Sequence, residues 1–180
     1  MAKSGVEGQL FSIDALASRD LVPAARAFLK SKSAGEGGFS SWDASNIFYE
    51  LQKLNAADLP SARTLLLLYA ADLRFRLRWE ILPALEEGQV VVAIPYVETG
   101  IAFGLAMGLP EKWLTEVFRF APAPAESFWL NGGHPGPAEP SSNAGFLEFC
   151  SDILPENFFE TFAAHFEELQ KRGGCTPLAV

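Results

Sequence analysis

The chain has 180 residues, of which 49% are hydrophobic, so it is long enough to bury one sizeable core and too short for two domains of ordinary size. We therefore predict a single domain over residues 1–180. Twenty-two acidic residues against fourteen basic ones give a net charge of -8, which repels phosphate backbones and argues against nucleic-acid binding.

Hydrophobic spacing divides the chain into alternating short strands and helices. The predicted strands are Gln9 to Ala15, Val90 to Ile94, Ser127 to Asn131 and Thr176 to Val180. The predicted helices are Leu21 to Lys32, Ile47 to Leu54, Pro60 to Leu85, Glu111 to Phe120 and Pro155 to Lys171. A Ser- and Gly-rich stretch from Ser33 to Ser41 interrupts the pattern, and Gly132 to Asn143 is predicted to be a loop.

The strand from Val90 to Ile94 is apolar on both faces, as central parallel strands are. Strands that alternate with helices favour a three-layer α/β fold, in which helices cover both faces of a sheet. We therefore predict a central, mostly parallel sheet flanked by helices.

A family resemblance is carried by the segment from Leu65 to Leu114, LLLLYAADLRFRLRWEILPALEEGQVVVAIPYVETGIAFGLAMGLPEKWL. It resembles the middle of thymidylate kinases, where a helix with an ADR element leads to I-PAL-G, a strand ending in DRY, a SxAYQG or GVAFTG helix and a GL-WL element. More weakly, GQLFSIDALASRDLVPAARAFL is similar to the family's strand and P-loop, LIxFEGxDGxGKTTQxxxLxxxL, and FLEFCSDILPENFFETFAAHFEELQ to its final helices. The resemblance implies a P-loop kinase-like fold.

The same resemblance implies a phosphate-binding loop that has lost its chemistry. A P-loop needs glycines that expose backbone N–H groups, a lysine for the phosphates and a hydroxyl for magnesium. In a gapless alignment its first glycine is Ala15, its last glycine is Asp20, and its lysine is Leu21. The hydroxyl positions are Val22 and Pro23, and GK[ST] occurs nowhere in the chain.

A carboxylate is expected to fill this degenerate loop. Ser18 or Asp20 can cap the following helix, and Pro23 is tolerated in its first turn. Asp20 would then occupy the anion site at the helix N-terminus and oppose nucleotide binding by charge and by occupancy. The residues of the degenerate loop are Ala15, Ser18, Arg19, Asp20, Leu21 and Val22.

Two other motifs of the family are also altered. Ile94 and Pro95 stand at the positions of the Asp-Arg pair that organises metal-bound water and phosphate, groups on which phosphoryl transfer depends. The arginine of the ADR element falls on Leu73, and Arg74 follows it. On a helix one residue is a rotation of about 100°, so Arg74 is an imperfect substitute.

A vestige of a nucleoside-monophosphate pocket is one interpretation of the residues that remain. They are Arg74, Arg78, Tyr96, Glu98 and Phe103. In the other interpretation the two arginines form a solvated face paired with nearby acids, and the aromatic residues belong to the core. We favour the second interpretation.

No catalytic residue, metal site or cofactor is predicted. His134 stands at a loop tip without ligands at metal-binding spacing, and His165 lies in an aromatic helix where a packed histidine is the ordinary explanation. Cys150 and Cys175 form no CxxC pair, no leader is recognisable, and no apolar run is long enough to span a bilayer. We expect a cytoplasmic protein with no membrane partner.

The function predicted from these losses is that of a catalytically inactive relative, retained as a binding, scaffolding or regulatory subunit. The resemblance implies a homodimer through the middle helices, and the apolar run Leu65 to Leu68 fits either that interface or a doubly covered core helix. A different protein partner or a nucleotide ligand stays open. The alternative function is a divergent nucleotide kinase with a rebuilt phosphate site.

Overall fold

Parallel strands form the centre of the molecule. A computed structural model describes residues 8–32, 37–53, 60–130 and 145–178. Within them the strands are β1 Gln9–Ala15, β2 Gly37–Ser41, β3 Val90–Ile94, β4 Glu126–Leu130 and β5 Thr176–Pro177. They lie in the order β2-β3-β1-β4-β5, and every pairing is parallel. The predicted α/β class with a central parallel sheet is confirmed.

Helices cover both faces of this sheet. Their bounds are α1 Leu21–Lys32, α2 Ile47–Leu51, α3 Ala62–Arg76, α4 Leu82–Glu86, α5 Val97–Ala106, α6 Glu111–Phe118, α7 Phe146–Phe149 and α8 Phe158–Lys171. A π-helical segment, Leu77–Ile81, joins α3 to α4, so the single helix predicted from residue 60 to 85 is continuous but changes its winding. None of the described helices has the length and hydropathy that a membrane span requires.

The alternation of β1 divides the core into two layers. Phe11, Ile13 and Ala15 face α1, where they pack with Leu21 and Phe28. The other face of β1 turns toward the larger cluster built from α3, α5, α6, α7 and α8. Two polar residues of that face, Ser12 and Asp14, are therefore buried at 0% and 1% exposure.

The strand β2 is missing from the sequence prediction, which found only a Ser- and Gly-rich interruption there. Its sequence, GGFSS, has low strand propensity, and such residues ordinarily mark turns. Its backbone nevertheless pairs with β3 from Gly37 opposite Val90 to Ser41 opposite Ile94. Pairing with an already formed strand outweighs the weak local preference.

Hydrophobic spacing did not predict α5 or α7 either, and the other differences lie at the ends of elements. The helix expected from Pro155 begins at Phe158, and the strand expected from Ser127 begins at Glu126. Leu54, Asn131 and the predicted loop Gly132 to Asn143 lie outside the described residues.

Candidate functional site

The candidate site lies where β1 ends, because ligands of open parallel α/β sheets bind at the carboxyl ends of the strands. The described residues enclose a cavity of about 10 Å³ there. That volume is close to the minimum that one water molecule needs. Its walls come from the end of β1, the start of α1, Pro95, Thr99 and α7.

A carboxylate of α7 fills the turn between β1 and α1. After Ala15 the chain makes a short 3-10 turn, Ser18–Asp20, and α1 follows at once. The backbone N–H of Ser18 donates to Oε1 of Glu148 at 2.9 Å, and the Ser18 hydroxyl donates to the same oxygen at 2.8 Å. The N–H and the hydroxyl of Ser18 are therefore already bonded to a carboxylate of the same chain.

The filling carboxylate is not the one predicted. Asp20 was expected at the anion site, but its side chain is 42% exposed and lies 3.9 Å from Nε of Arg19. The 3-10 turn directs Asp20 toward solvent and Ser18 toward the crevice. Leu21, at the lysine position of the alignment, is buried on the α1 face of the sheet, and Val22 is half-buried.

Gly145 allows α7 to approach this closely. A Cβ atom at that position would lie 2.2 Å from Cβ of Ser18 and 2.8 Å from Oε2 of Glu148. Contacts that short do not occur between real side chains, so the approach of α7 to the turn requires a glycine.

Aromatic side chains fill the rest of the crevice. Phe146 is buried, and its ring centroid lies 4.6 Å from that of Tyr69, 4.8 Å from Phe103 and 5.5 Å from Phe48. Phe149 adds a contact to Phe48 at 5.2 Å. Phe103, a candidate pocket residue in the sequence, is therefore a core residue.

Tyr96 is also fully built into the core. Its hydroxyl donates to the carbonyl of Pro122 at 2.8 Å, and its own carbonyl accepts from the Tyr69 hydroxyl at 2.6 Å. Burial raises the pKa of both phenols, which keeps them neutral hydrogen-bond donors. The side chain lies in the expected region, but none of its polar atoms is left for a ligand.

The structure separates the two predicted arginines from the crevice. Both are exposed on α3 and the π segment, where the Arg74 guanidinium lies over Phe120 and that of Arg78 over Trp79, each at 5.4 Å. The favoured interpretation expected a solvated face paired with acids; the two arginines are exposed, and the contacts found for them are with aromatic rings.

The arginine that faces inward is Arg76, which the sequence reasoning missed. It is 0% exposed; its Nε donates to Oγ of Ser40 at 3.0 Å, its Nη1 to the carbonyl of Pro95 at 2.9 Å, and its Nη2 to the carbonyl of Ser40. Helical spacing could have identified it, because Arg76 shares a face with Tyr69, Leu73 and Leu77. These hydrogen bonds connect β2 to the end of β3.

Asp14 is a second buried charge that the sequence reasoning missed. Its Oδ1 accepts from the N–H of Tyr96 at 2.9 Å, the N–H of Thr99 at 3.2 Å and the Thr99 hydroxyl at 2.7 Å. Its Oδ2 is buried and has no hydrogen-bond partner among the described residues. Burial raises the pKa of this carboxyl to about 6, against the opposing effect of the Thr99 and Tyr96 hydrogen bonds.

Glu98, the last of the predicted pocket residues, pairs with α8. Its Oε2 lies 2.8 Å from Nε2 of His165, and their side chains are 25% and 15% exposed. The pair joins α5 to α8, and it accounts for the position of His165 within an aromatic helix.

The described residues contain no cluster that could bind a metal ion and no reactive thiol. No three His, Cys, Asp or Glu side chains within it are placed to hold a metal ion. His134 lies outside the described residues. Cys150 and Cys175 are buried free thiols; burial raises the pKa of Cys150 and raises that of Cys175 to about 12, so both stay protonated and unreactive.

Comparison with known proteins finds likenesses to thymidylate kinases. No protein-family profile matches the chain. A probable thymidylate kinase of Pyrococcus abyssi is 43% identical over 58 residues, which are 32% of this chain and 28% of the relative. A probable thymidylate kinase of Caldivirga maquilingensis is 33% identical over 85 residues, 47% of this chain and 42% of the relative. The chain thus matches less than half the length of these relatives.

The fold extends the likeness to the whole chain. The crystal structure of thymidylate kinase from Ehrlichia chaffeensis superposes with a TM-score of 0.70, covering 96% of this chain and 93% of that one at 12% sequence identity. The parallel order β2-β3-β1-β4-β5 and the flanking helices belong to the same α/β architecture. The chain is therefore thymidylate kinase-like, with a P-loop kinase-like α/β fold and a shared sequence segment.

Proposed function

We propose that this chain is a catalytically inactive thymidylate kinase-like protein that acts as a binding, scaffolding or regulatory subunit. One observation carries the proposal: the donors of the β1–α1 turn bind the carboxylate of Glu148, in the place where this fold receives phosphate groups. A phosphate would have to displace a carboxylate that belongs to the chain itself.

Charge supports the same conclusion. Phosphoryl transfer depends on cations and donors that neutralise the phosphates, and a lysine and a metal-binding hydroxyl supply much of that effect. Here the corresponding positions carry Leu21 and Val22. Asp14 and Glu148 add carboxylates at the same end of β1. The negative electrostatic potential of these carboxylates would therefore disfavour the binding of a triphosphate.

The surface supplies a reason to propose a partner. Large apolar side chains are exposed along α3, the π segment and α4, with Leu67 at 46%, Phe75 at 39%, Trp79 at 64% and Leu82 at 39%. Their spacings of eight, four and three residues are close to whole helical turns, so they form one stripe, which we call the α3 stripe. A second copy of the chain is the partner we propose for it, as the resemblance to thymidylate kinases implies.

Nucleotide binding and phosphoryl transfer test the proposal together. Thermal melting of the purified protein is measured with ATP and magnesium, with dTMP and with both, since a ligand of the folded state raises the melting temperature. A coupled assay for ADP formation runs beside it, with an active thymidylate kinase as the positive control. We expect no shift with ATP and magnesium and no dTMP-dependent ADP formation.

Either signal would instead favour the alternative function, a divergent nucleotide kinase with a rebuilt phosphate site. A shift with dTMP alone would leave the chain inactive but make it a nucleotide-binding subunit. These outcomes separate the two classes because only a kinase needs both ligands at once.

A further inference from the structure

We infer that α7 is a built-in ligand: the ring of Phe146 and the carboxylate of Glu148 occupy the crevice at the end of β1 and hold it closed. The inference rests on the proposed function, because a crevice that binds its own chain is the physical basis of the lost nucleotide site. It goes further by assigning the occupant and the chemical class of molecule that competes with it.

The anionic half of this ligand is Glu148. Its Oε1 accepts two hydrogen bonds from Ser18, and its Oε2 is buried without a partner among the described residues. A backbone N–H and a hydroxyl that converge on one oxygen make the arrangement that binds small oxyanions. The two distances, 2.9 Å from the N–H and 2.8 Å from the hydroxyl, are those of well-formed hydrogen bonds.

The aromatic half is Phe146, which lies on the opposite side of the helix. Two residues along a helix turn the side chain by about 200°, so one short helix reaches both walls of the crevice. Phe146 contacts Tyr69 and Phe103 in tilted and edge-on geometries, the arrangements that aromatic rings prefer. A ring and an anion on one scaffold are also the two halves of an aromatic carboxylate or phosphate.

The covalent tether explains why the crevice stays filled. A group on the same chain acts at an effective concentration of roughly millimolar or more, so a free anion competes poorly with it. Removing the Glu148 carboxylate takes away this advantage. The Ser18 N–H and hydroxyl can then donate hydrogen bonds to a small external oxyanion, such as acetate or inorganic phosphate.

Anion rescue of a truncated variant tests this inference. The melting temperature of Glu148→Ala is measured against acetate, phosphate and chloride at matched ionic strength. We expect a loss of roughly 5 °C, because charge-assisted hydrogen bonds are lost, and a recovery in acetate or phosphate that chloride does not produce. The melting temperature of wild type should not rise in acetate or phosphate, because its crevice is already filled by the side chains of α7. Leu147→Ala is the matched control: it is buried in the same helix, so it loses stability without opening the anion site.

Two further variants keep the result decisive. Glu148→Gln fills the hole with a neutral group and is expected to gain nothing from acetate. Adding Ser18→Ala to Glu148→Ala removes a donor and should reduce the rescue. Where Glu148→Ala does not fold, Ser18→Ala and Glu148→Gln form a double-mutant cycle, and a non-additive loss supports the contact.

The inference is overturned if Glu148→Ala melts like wild type, if acetate stabilises it no more than Leu147→Ala, or if the double-mutant cycle is additive. None of these measurements contains a nucleotide. A failure of the rescue is therefore distinct from a failure of the proposed function, which is read from ATP, magnesium and dTMP.

Discussion

The carboxylate of Asp14 accepts the backbone N–H of Tyr96 at 2.9 Å and so ties the end of the central strand to the start of α5. Asp14 is 1% exposed, and its second oxygen is buried without a partner among the described residues. The carboxylate that makes this hydrogen bond is therefore poorly solvated when it is ionised. Its protonation state is coupled to the stability of the fold.

The first prediction is a pH dependence that comes from Asp14. Its pKa is about 6 in the fold, above the usual 3.8, so the folded state binds the proton more tightly than the unfolded state. The contribution to stability is therefore fully present below about pH 4 and is lost as the pH rises through 6. The size is about 3 kcal/mol for a difference of about two pKa units.

Urea unfolding of wild type and Asp14→Asn between pH 4 and pH 7.5 measures this contribution. The asparagine keeps the size of the side chain and cannot ionise. As the pH rises across that range, we expect the free energy of unfolding of Asp14→Asn to increase relative to that of wild type by up to about 3 kcal/mol. A constant difference between the two proteins would contradict the assignment.

The second prediction concerns Arg76. Replacing it with methionine removes the hydrogen bonds to the Ser40 hydroxyl and to the carbonyls of Ser40 and Pro95, and a hydrogen bond from a charged group contributes about 1.5–3 kcal/mol. We expect Arg76→Met to lower the free energy of unfolding by about 3 kcal/mol or more, measured by urea denaturation. Arg78→Met, the exposed control on the same continuous helix, should change it by less than about 0.5 kcal/mol. Equal effects would show that the burial of Arg76 matters little.

The third prediction uses two glycines. Gly145→Ala places a methyl group 2.2 Å from Cβ of Ser18, so α7 must move away from the β1–α1 turn. We expect a loss of about 1–3 kcal/mol in the free energy of unfolding, in the range of overpacked cores. Gly38→Ala is the control, because no atom of the described residues lies within 4 Å of its added Cβ. A Gly145→Ala protein as stable as the Gly38→Ala protein would contradict the close packing of α7.

The fourth prediction addresses the α3 stripe. Trp79 is 64% exposed, and a glutamate there places a charge in the centre of the proposed interface. We expect wild type to sediment as a dimer and Trp79→Glu as a monomer at the same concentration. Tyr49→Glu is a control of similar exposure, 58%, on α2 and outside the stripe, and it should stay dimeric. A monomeric wild-type protein would exclude a self-association role for the stripe at that concentration.

The elements with strong local signals were predictable. β1 and β3 are short segments rich in apolar residues, and α1, α3 and α8 have helical spacing, so burial and periodicity agree along these elements. The absence of a GK[ST] motif is visible in the same way, because it is a matter of residue identity. The strand β2 was not predicted, because its own residues do not favour a strand and it forms one only by pairing with β3.

The sequence alone determined the alternation of strands and helices and the absence of a GK[ST] motif, since both depend on neighbouring positions. Only the tertiary structure decided which carboxylate fills the crevice and which arginine is buried. Ser18 and Glu148 are 130 residues apart, and Arg76 bonds with Ser40 across 36 residues. Local propensity contains no information about such pairs, because their energy appears only when the sheet brings the segments together.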